Sequence, residues 1–339
     1  MPAVTAIVLH HNGTDYLDAC FKTLLAQDHP GLTVCVVDNA STDGSPEWLQ
    51  AHYPTARLLE AGGNLGWSGG NNVGIRHALQ HGADWIWLLN DDIELEPNCL
   101  RNMLEFAEKH PNVRLLSPVI HLTSDRNRVW YQGGKIDFAR MLVSHCASLS
   151  EFRSIARPAR RFISGCCLLV HRSVFEQAGL PDERFFMYYE DGDFSLRAED
   201  AGFDMDVVAD TRIYHHLMAA TGGYHFKNPF RTYHMCRSEL LFWRKHLGFW
   251  AFHRRYCLAH LSKWFLDTDT AAPGAKAIHE AKCDALWFFL TNRRCYRRHP
   301  HSPAWFRRLM LRRAWVIIAL MGFDLVSLLG RRRRLVPRT

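Results

Sequence analysis

Two acidic clusters, far apart along the chain, carry the residue types from which an active site can be built. Phe185-Phe186-Met187-Tyr188-Tyr189-Glu190-Asp191-Gly192-Asp193 sets three carboxylates within four residues, directly after four aromatics and a methionine. Such an apolar lead-in suits a pocket wall that ends in a reactive carboxylate better than a solvated face. Partial burial raises a carboxylate's pKa and a neighbouring like charge raises it further, which tunes a general base. A helix N-terminus would also accept these acids, because its dipole favours negative charge. The second cluster, Leu88-Leu89-Asn90-Asp91-Asp92-Ile93, ends an apolar run in paired carboxylates. Mg²⁺ and Mn²⁺ take carboxylate and phosphate oxygens, so the pair suits a cation that neutralises a leaving diphosphate. Asp92 would serve equally as the N-cap of a following helix.

Elements that could position these groups are legible upstream. Residues 5–9 form a buried strand, 10–13 a turn, and a helix follows with Tyr16, Leu17, Cys20, Leu24 and Leu25 on one face. Residues 34–37 are a second strand, closing on Asp38 and the segment to Ser45, and Pro46 opens another helix. A short strand at 57–60, a Gly/Asn-rich loop at 62–72, a helix at 73–81 and a strand at 85–89 complete the series. Residues 161–171 form a later strand-like run. Strand and helix alternating at this spacing predict a parallel α/β sheet. Ligands of such sheets sit at the carboxyl ends of the strands, so Asn12, Asp38, Asn64, Asp91 and Asp92 should converge on one crevice.

The loop, with Asn64, Trp67 and Asn71, holds five glycines within nine residues up to Gly70. It would let backbone approach a ligand closely, and its end would offer helix N–H groups to phosphate. It matches neither the phosphate-loop nor the dinucleotide fingerprint. A plain flexible loop is the simpler alternative. Asp38 could pair with a base N–H. One imidazole of His215-His216 could complete a metal shell or contact a diphosphate, although 20 histidines make any single assignment depend on the rest.

Composition divides the chain. Residues 1–235 carry 20 Lys+Arg against 28 Asp+Glu, whereas 236–339 carry 21 against 6, an acidic domain before a basic, aromatic-rich helical extension. A basic half suggests a polyanionic partner, nucleic acid or an anionic membrane. The ten cysteines show no paired zinc-like spacing and are expected as buried free thiols in a reducing compartment. The strand-like opening, without a basic n-region or cleavage site, argues against a signal peptide.

Taken together, stretches 7–12, 36–45, 64–75, 88–93, 162–172, 185–197 and 214–216 resemble the family-two glycosyltransferases of GT-A fold, most closely their bacterial rhamnosyltransferase-like branch. The resemblance covers roughly residues 3–245 in the family's order and spacing. It implies a Rossmann-like, mixed nucleotide-binding sheet flanked by helices, a nucleotide-diphosphate sugar donor, Mg²⁺ or Mn²⁺, and inversion by direct displacement. By position, Asp38 would bind the base. Asn64 and the following loop, with Trp67, Gly70 and Asn71, would line the nucleotide site alongside Asn12. Asp92 would be the metal ligand, with Asp91 nearer the ribose or diphosphate and His215 assisting at the metal or diphosphate. Asp191 would deprotonate the acceptor hydroxyl, with Glu190 beside it. Gly192 stands where relatives usually carry an apolar residue, which implies a looser turn after the base. Asp91 stands where they often carry proline. The branch points to dTDP-rhamnose as donor, with UDP-sugars next.

In the basic extension, residues 314–330 hold a single charge, Asp324, before Arg331 to Arg334. As a helix they would reach about 25 Å, short of a ~30 Å hydrocarbon core. An interfacial helix gripping anionic headgroups is expected, with a core-packed helix as the alternative. That suits a cytoplasmic enzyme held peripherally at the inner face of the membrane, acting on a lipid-linked glycan of a cell-surface polysaccharide. A sugar nucleotidyltransferase would want Arg and Lys in an early Gly-rich loop, which the segment after the first strand lacks. A nucleic-acid-binding protein would want zinc ligands or basicity in the first domain, and neither is present, so no nucleic-acid partner is expected.

Overall fold

The computed structural model describes residues 1–217, 228–252, 254, 256, 274–291 and 302–310. The chain divides into two compact units, Met1–Tyr224 and His225–Thr339.

In the first unit, β1 (Val4–His10), β2 (Leu32–Asp38), β3 (Arg57–Glu60) and β4 (Trp85–Asn90) alternate with α1 (Leu17–Leu25), α2 (Ser45–His52) and α3 (Gly66–Gln80). There follow β5 (Ile93–Leu95), α4 (Cys99–Lys109), β6 (Val113–Leu122), β7 (Val129–Tyr131), β8 (Gly134–Asp137), β9 (Leu142–His145), α5 (Leu149–Ser154), β10 (Arg160–Phe162), β11 (Cys167–His171), α6 (Arg172–Ala178), α7 (Glu190–Asp200) and β12 (Asp204–His215). The main sheet runs β3-β2-β1-β4-β11-β6-β12-β5, with β7 alongside β6, and β10-β8-β9 form a second, small sheet. Strands β1 to β4 pair in parallel. The runs of β1, β2 and β4 are largely apolar, as strands buried on both faces require, and Ile7, Val8, Val37, Trp87 and Leu88 are buried accordingly, whereas β3, at the sheet edge, is partly exposed.

Several local expectations give way to packing. The sheet is mixed, as the family resemblance implies and unlike the parallel sheet that spacing alone predicts, because β11 lies antiparallel to β4 and β6. The run expected as one strand at 161–171 breaks into β10 and β11. Between them, Ile163 N donates to Ser195 Oγ (3.0 Å) and Ser164 N to Tyr131 Oη (3.0 Å), so side chains replace a sheet ladder. In α1 the buried face carries Phe21 in place of Leu25, as an i, i+3, i+4, i+7 stripe from Leu17 requires. His10 is the last residue of β1 rather than part of a turn. Residues 93–95 form a strand, so Asp92 caps no helix.

The largest departure is α3, which begins at Gly66 instead of residue 73. Glycine is a poor helix former, but here it admits the helix onto the sheet. A Cβ on Gly70 would stand 2.3 Å from Leu9 Cδ1, and one on Gly74 would stand 2.6 Å from Ile7 Cγ2 and 3.1 Å from Val37 Cγ2. Gly74→Ala is therefore expected to lower unfolding free energy by ~1–3 kcal/mol in a urea titration, overpacking outweighing the gain of ~1 kcal/mol in helix propensity.

In the second unit, α8 (Pro229–His246) is capped by Asn228, whose side chain accepts from Phe230 N and Arg231 N. It packs on the helix Ala275–Thr291 through Tyr233, Cys236, Ala281 and Ala285. Asp284 on that helix receives Ser302 N (2.7 Å), Ser302 Oγ and Arg307. Segment 314–330 and the Arg pairs flanking it lie outside the described residues. Among the described residues no helix is long and apolar enough to cross a membrane. The eight described cysteines are free and buried, as the apolar runs around them predict.

Candidate active site

The carboxyl edge of the sheet brings the two acidic clusters together. β1 pairs with β2 so that His10 sits beside Asp38, and with β4 so that Leu9 sits beside Asn90. β12 pairs with β5 so that His215 opposes Ile93, and His216 N donates to Asp92 O (2.9 Å). The end of β12 is thereby clamped to Asp92, and His215 Nε2 lies 3.1 Å from Asp92 Oδ1. Both groups are buried, and neither Asp92 Oδ1 nor His215 Nδ1 has a further hydrogen-bond partner.

Asp191 reaches the same place through one short segment. Gly165 N donates to Asp191 Oδ2 (3.2 Å), and Asn90 N donates to the carbonyl of the next residue, Cys166 (3.0 Å). The buried Cys166 thiol lies within electrostatic reach of His215, Asp92 and Asp191 together. Glu190 opens α7 and Asp191 follows in its first turn, so the cluster is at once a helix N-terminus and buried. Gly192 sits in the first turn of that helix and donates its N–H to Asp191 Oδ1 (2.7 Å), so the turn after Asp191 is pinned, not loose. Asp193 is ion-paired with Arg197 (3.0 Å) and buried.

Burial pushes Asp191 above the ordinary carboxylate range, against the pull of its two backbone donors. Burial also pushes Glu190 well above that range, and the Asp191 charge adds to it. Burial opposes charge on Asp92, but the facing His215 outweighs it and holds the carboxyl below its usual value. Burial likewise opposes a proton on His215, yet Cys166 and Asp92 raise it well above the ordinary imidazole range. Glu190 stabilises the fold most when protonated, so that contribution is lost as pH climbs from about 4.5 through its raised pKa. Glu190→Gln is expected to melt higher than the parent on the alkaline side, with the difference vanishing in acid, in melting curves across pH.

Each remaining candidate has a place. Asp38 is buried and accepts Ser41 N on Oδ1 (3.0 Å). Asn12, at φ 59°, accepts Thr42 N on Oδ1 (2.8 Å), which ties the end of β1 to the loop after β2. Asn64 Oδ1 accepts Gly66 N (3.1 Å) and Asn39 Nδ2 (3.2 Å), bracing the turn into α3. Trp67 N donates to Phe186 O (2.6 Å), and the indole covers Gly165, where a Cβ would stand 2.6 Å from Trp67 Cζ2. The glycine-rich stretch thus contacts the aromatic lead-in to Asp191. Asn71 donates to Trp67 O (3.0 Å) and keeps a buried, unpartnered Oδ1. Gly70 packs on Leu9, whereas Gly62 and Gly63 have open space about them. Asp91 Oδ2 pairs with His10 Nδ1 at 2.7 Å, and burial raises its pKa.

Some residues at the site carried no signal of their own in the sequence. Gly165 and Cys166 lie in a stretch that only the family pattern marks. Trp130 meets His215 edge-on (4.9 Å between ring centroids) and His145 likewise (5.1 Å), and His145 lies within electrostatic reach of Asp191. Nothing in the local sequence of those short strands marks them.

Among the described residues no three His, Cys, Asp or Glu side chains are grouped to hold a metal unaided. Mg²⁺ and Mn²⁺ are ordinarily held by one or two protein groups together with substrate phosphates. Asp92, buried and held ionised, fits that pattern as the carboxylate; His215, paired with it at 3.1 Å, would join only on giving up its proton.

Residues 5–179 match the glycosyl transferase family 2 model. An N-acetylglucosaminyl-diphospho-decaprenol L-rhamnosyltransferase of Mycobacterium tuberculosis is 31% identical over 220 residues, 58% of this chain and 70% of that protein. Among solved structures, the mannosyltransferase PcManGT from Pyrobaculum calidifontis, in complex with GDP-Man and Mn²⁺, superposes with a TM-score of 0.53 at 19% identity, covering 96% of this chain and 87% of that one. GalNAc-T7 with UDP, GalNAc and Mn²⁺ does so with a TM-score of 0.58 at 14% identity, covering 86% of this chain and 56% of that one. The fold is GT-A, and the chain belongs to glycosyl transferase family 2, as a glycosyltransferase.

Proposed function

We propose that this glycosyltransferase moves L-rhamnose from dTDP-rhamnose to a hydroxyl of a lipid-linked glycan, with inversion, in bacterial cell-surface polysaccharide synthesis. A single observation carries the reading: segment 165–166 ties a buried carboxylate of raised pKa, Asp191, to the Asp92–His215 pair. Asp191 takes the proton of the acceptor hydroxyl while that oxygen attacks the anomeric carbon from the face opposite the diphosphate. Its raised pKa brings its proton affinity closer to neutral, where a general base works best. Asp92, with His215, would hold Mg²⁺ or Mn²⁺, which when bound supplies Lewis-acid neutralisation of the leaving diphosphate. Asp38, at the end of β2, would hold the base, Asp91 the ribose or diphosphate, and Asn12 with the Asn64–Asn71 region the rest of the nucleotide.

The rhamnosyl assignment rests on the family branch and on the relative named above. A UDP-sugar is the second donor to test. The basic, aromatic-rich extension, from about residue 236 onward, would serve the acceptor side, holding the enzyme peripherally on the anionic inner face of the membrane. A panel of dTDP-rhamnose and UDP-sugars, with Mg²⁺, Mn²⁺ or EDTA, tests the reading by release of nucleoside diphosphate. Release from dTDP-rhamnose alone and only with metal supports it. Release from a UDP-sugar alone moves the donor, and protection against melting by DNA but by no nucleotide overturns it.

A further inference from the structure

His10 is fully buried at the end of β1, and its two ring nitrogens are both engaged over long sequence distances. Nδ1 lies 2.7 Å from Asp91 Oδ2, at the end of β4, and Nε2 lies 2.7 Å from Ser45 Oγ, the first residue of α2. Ser45 Oγ in turn donates to Asp43 Oδ1 (2.6 Å), and the other oxygen of Asp43 accepts Gly13 N (2.5 Å). Four side chains from three separate segments therefore form one continuous bridge, Asp91–His10–Ser45–Asp43.

Proton counting fixes its direction. Asp43, held down to about 2 by the Gly13 N–H and the Ser45 hydroxyl, is ionised and can only accept. The single hydroxyl hydrogen of Ser45 is thus committed to Asp43. Ser45 Oγ must then accept from His10, so Nε2 carries a hydrogen. That leaves Nδ1 and Asp91 Oδ2 to share one proton between them. Every position in the chain is satisfied in this arrangement, as a buried polar network requires. The Asp91 side chain is 22% exposed, so a ligand can reach it while His10 holds it from behind.

We propose that His10 is a positioning residue for the donor: through Ser45 and Asp43 it locks Asp91 in register with the 38–45 loop, so that the two ends of the nucleoside-diphosphate site are held as one rigid unit. This rests on the nucleotide-sugar reading above. Neither neighbour can do the same work, because Asp38 caps Ser41 N and Asn12 ties only to Thr42 N and Ser41 Oγ. A bridge at this point lowers the cost of ordering the site on binding, which is where preorganisation acts.

The test compares wild type with Ser45→Ala and His10→Gln, using dTDP and UDP, each with Mn²⁺, in calorimetric titrations, together with donor KM, acceptor KM and kcat. Ser45→Ala removes one hydroxyl and keeps the helix start. His10→Gln keeps a donor but cannot span both partners. Either variant is expected to weaken the preferred nucleoside diphosphate about tenfold and raise donor KM in step, leaving acceptor KM unchanged, a split that a general loss of fold would not give. The double variant should be no weaker than the worse single one, because both break the same chain. Should His10→Gln fail to fold, Ser45→Ala alone decides. Unchanged diphosphate affinity in Ser45→Ala, or equal rises in donor and acceptor KM, overturns the positioning role while leaving the donor reading intact. Wild type that binds neither dTDP nor UDP overturns both.

Discussion

Asp191→Asn is expected to cut transfer by ~10²–10⁴-fold while leaving nucleoside-diphosphate affinity near that of the parent. The amide keeps the shape of the carboxylate and can still accept from Gly165 N or Gly192 N. What it loses is the ability to take a proton. The effect should therefore fall on kcat, with donor Kd little changed. The parent's rate should also rise with pH as Asp191 ionises, in a limb displaced upward from the ordinary carboxylate range because burial opposes the charge. That limb should be missing from the residual activity of the variant. Near-normal transfer by Asp191→Asn would transfer the role to Glu190, whose pKa is raised further still. Asp193 is a poor substitute, since Arg197 already holds it.

Asp92→Asn is expected to act differently, on metal and donor together. Loss of several kcal/mol of charge neutralisation at the leaving group corresponds to ~10²-fold or more in rate. The parent should be protected against thermal unfolding by dTDP or UDP more strongly with Mn²⁺ than with EDTA, and the variant should lose that difference. The substitution also leaves His215 facing a neutral amide. With the carboxylate gone, one of the two groups that raise the imidazole's pKa is removed, so His215 should titrate lower than in the parent. A histidine NMR titration reads that change independently of activity. If the variant keeps both metal-dependent protection and turnover, the metal is held elsewhere and the pairing of Asp92 with His215 is structural.

The two substitutions separate because the groups arrive by different routes. Asp92 lies in the bend between β4 and β5, just past the parallel half of the sheet, whereas Asp191 sits in the first turn of a helix after a long excursion through the second sheet. Their order along the chain was legible, and so was the strand-end placement of Asn12, Asp38 and Asp91, because apolar runs closing on polar residues are a near-neighbour pattern. The start of α3 was not legible. Helix propensity argues against Gly66 to Gly70, and only the closeness of Leu9 and Ile7 explains why glycines stand there. Nor was the break between β10 and β11, where Ser195 and the Tyr131 hydroxyl satisfy backbone donors from elsewhere in the chain.

The sequence by itself determined the alternation of β1 to β4 with their helices, the chemical types at the site and the order in which they occur. Periodicity and composition act over a few residues, and that range suffices for such features. The tertiary structure alone decided which groups meet. It joined His10 to Asp91 across 81 positions, Asp191 to Gly165 across 26, and His215 to Asp92 through the β5–β12 pairing. Those contacts depend on strand order and register, which are set by burial of the whole sheet rather than by any local pattern. Burial also raised Glu190 and Asp191, whereas at Asp92 the facing His215 outweighs burial and keeps the carboxyl charged.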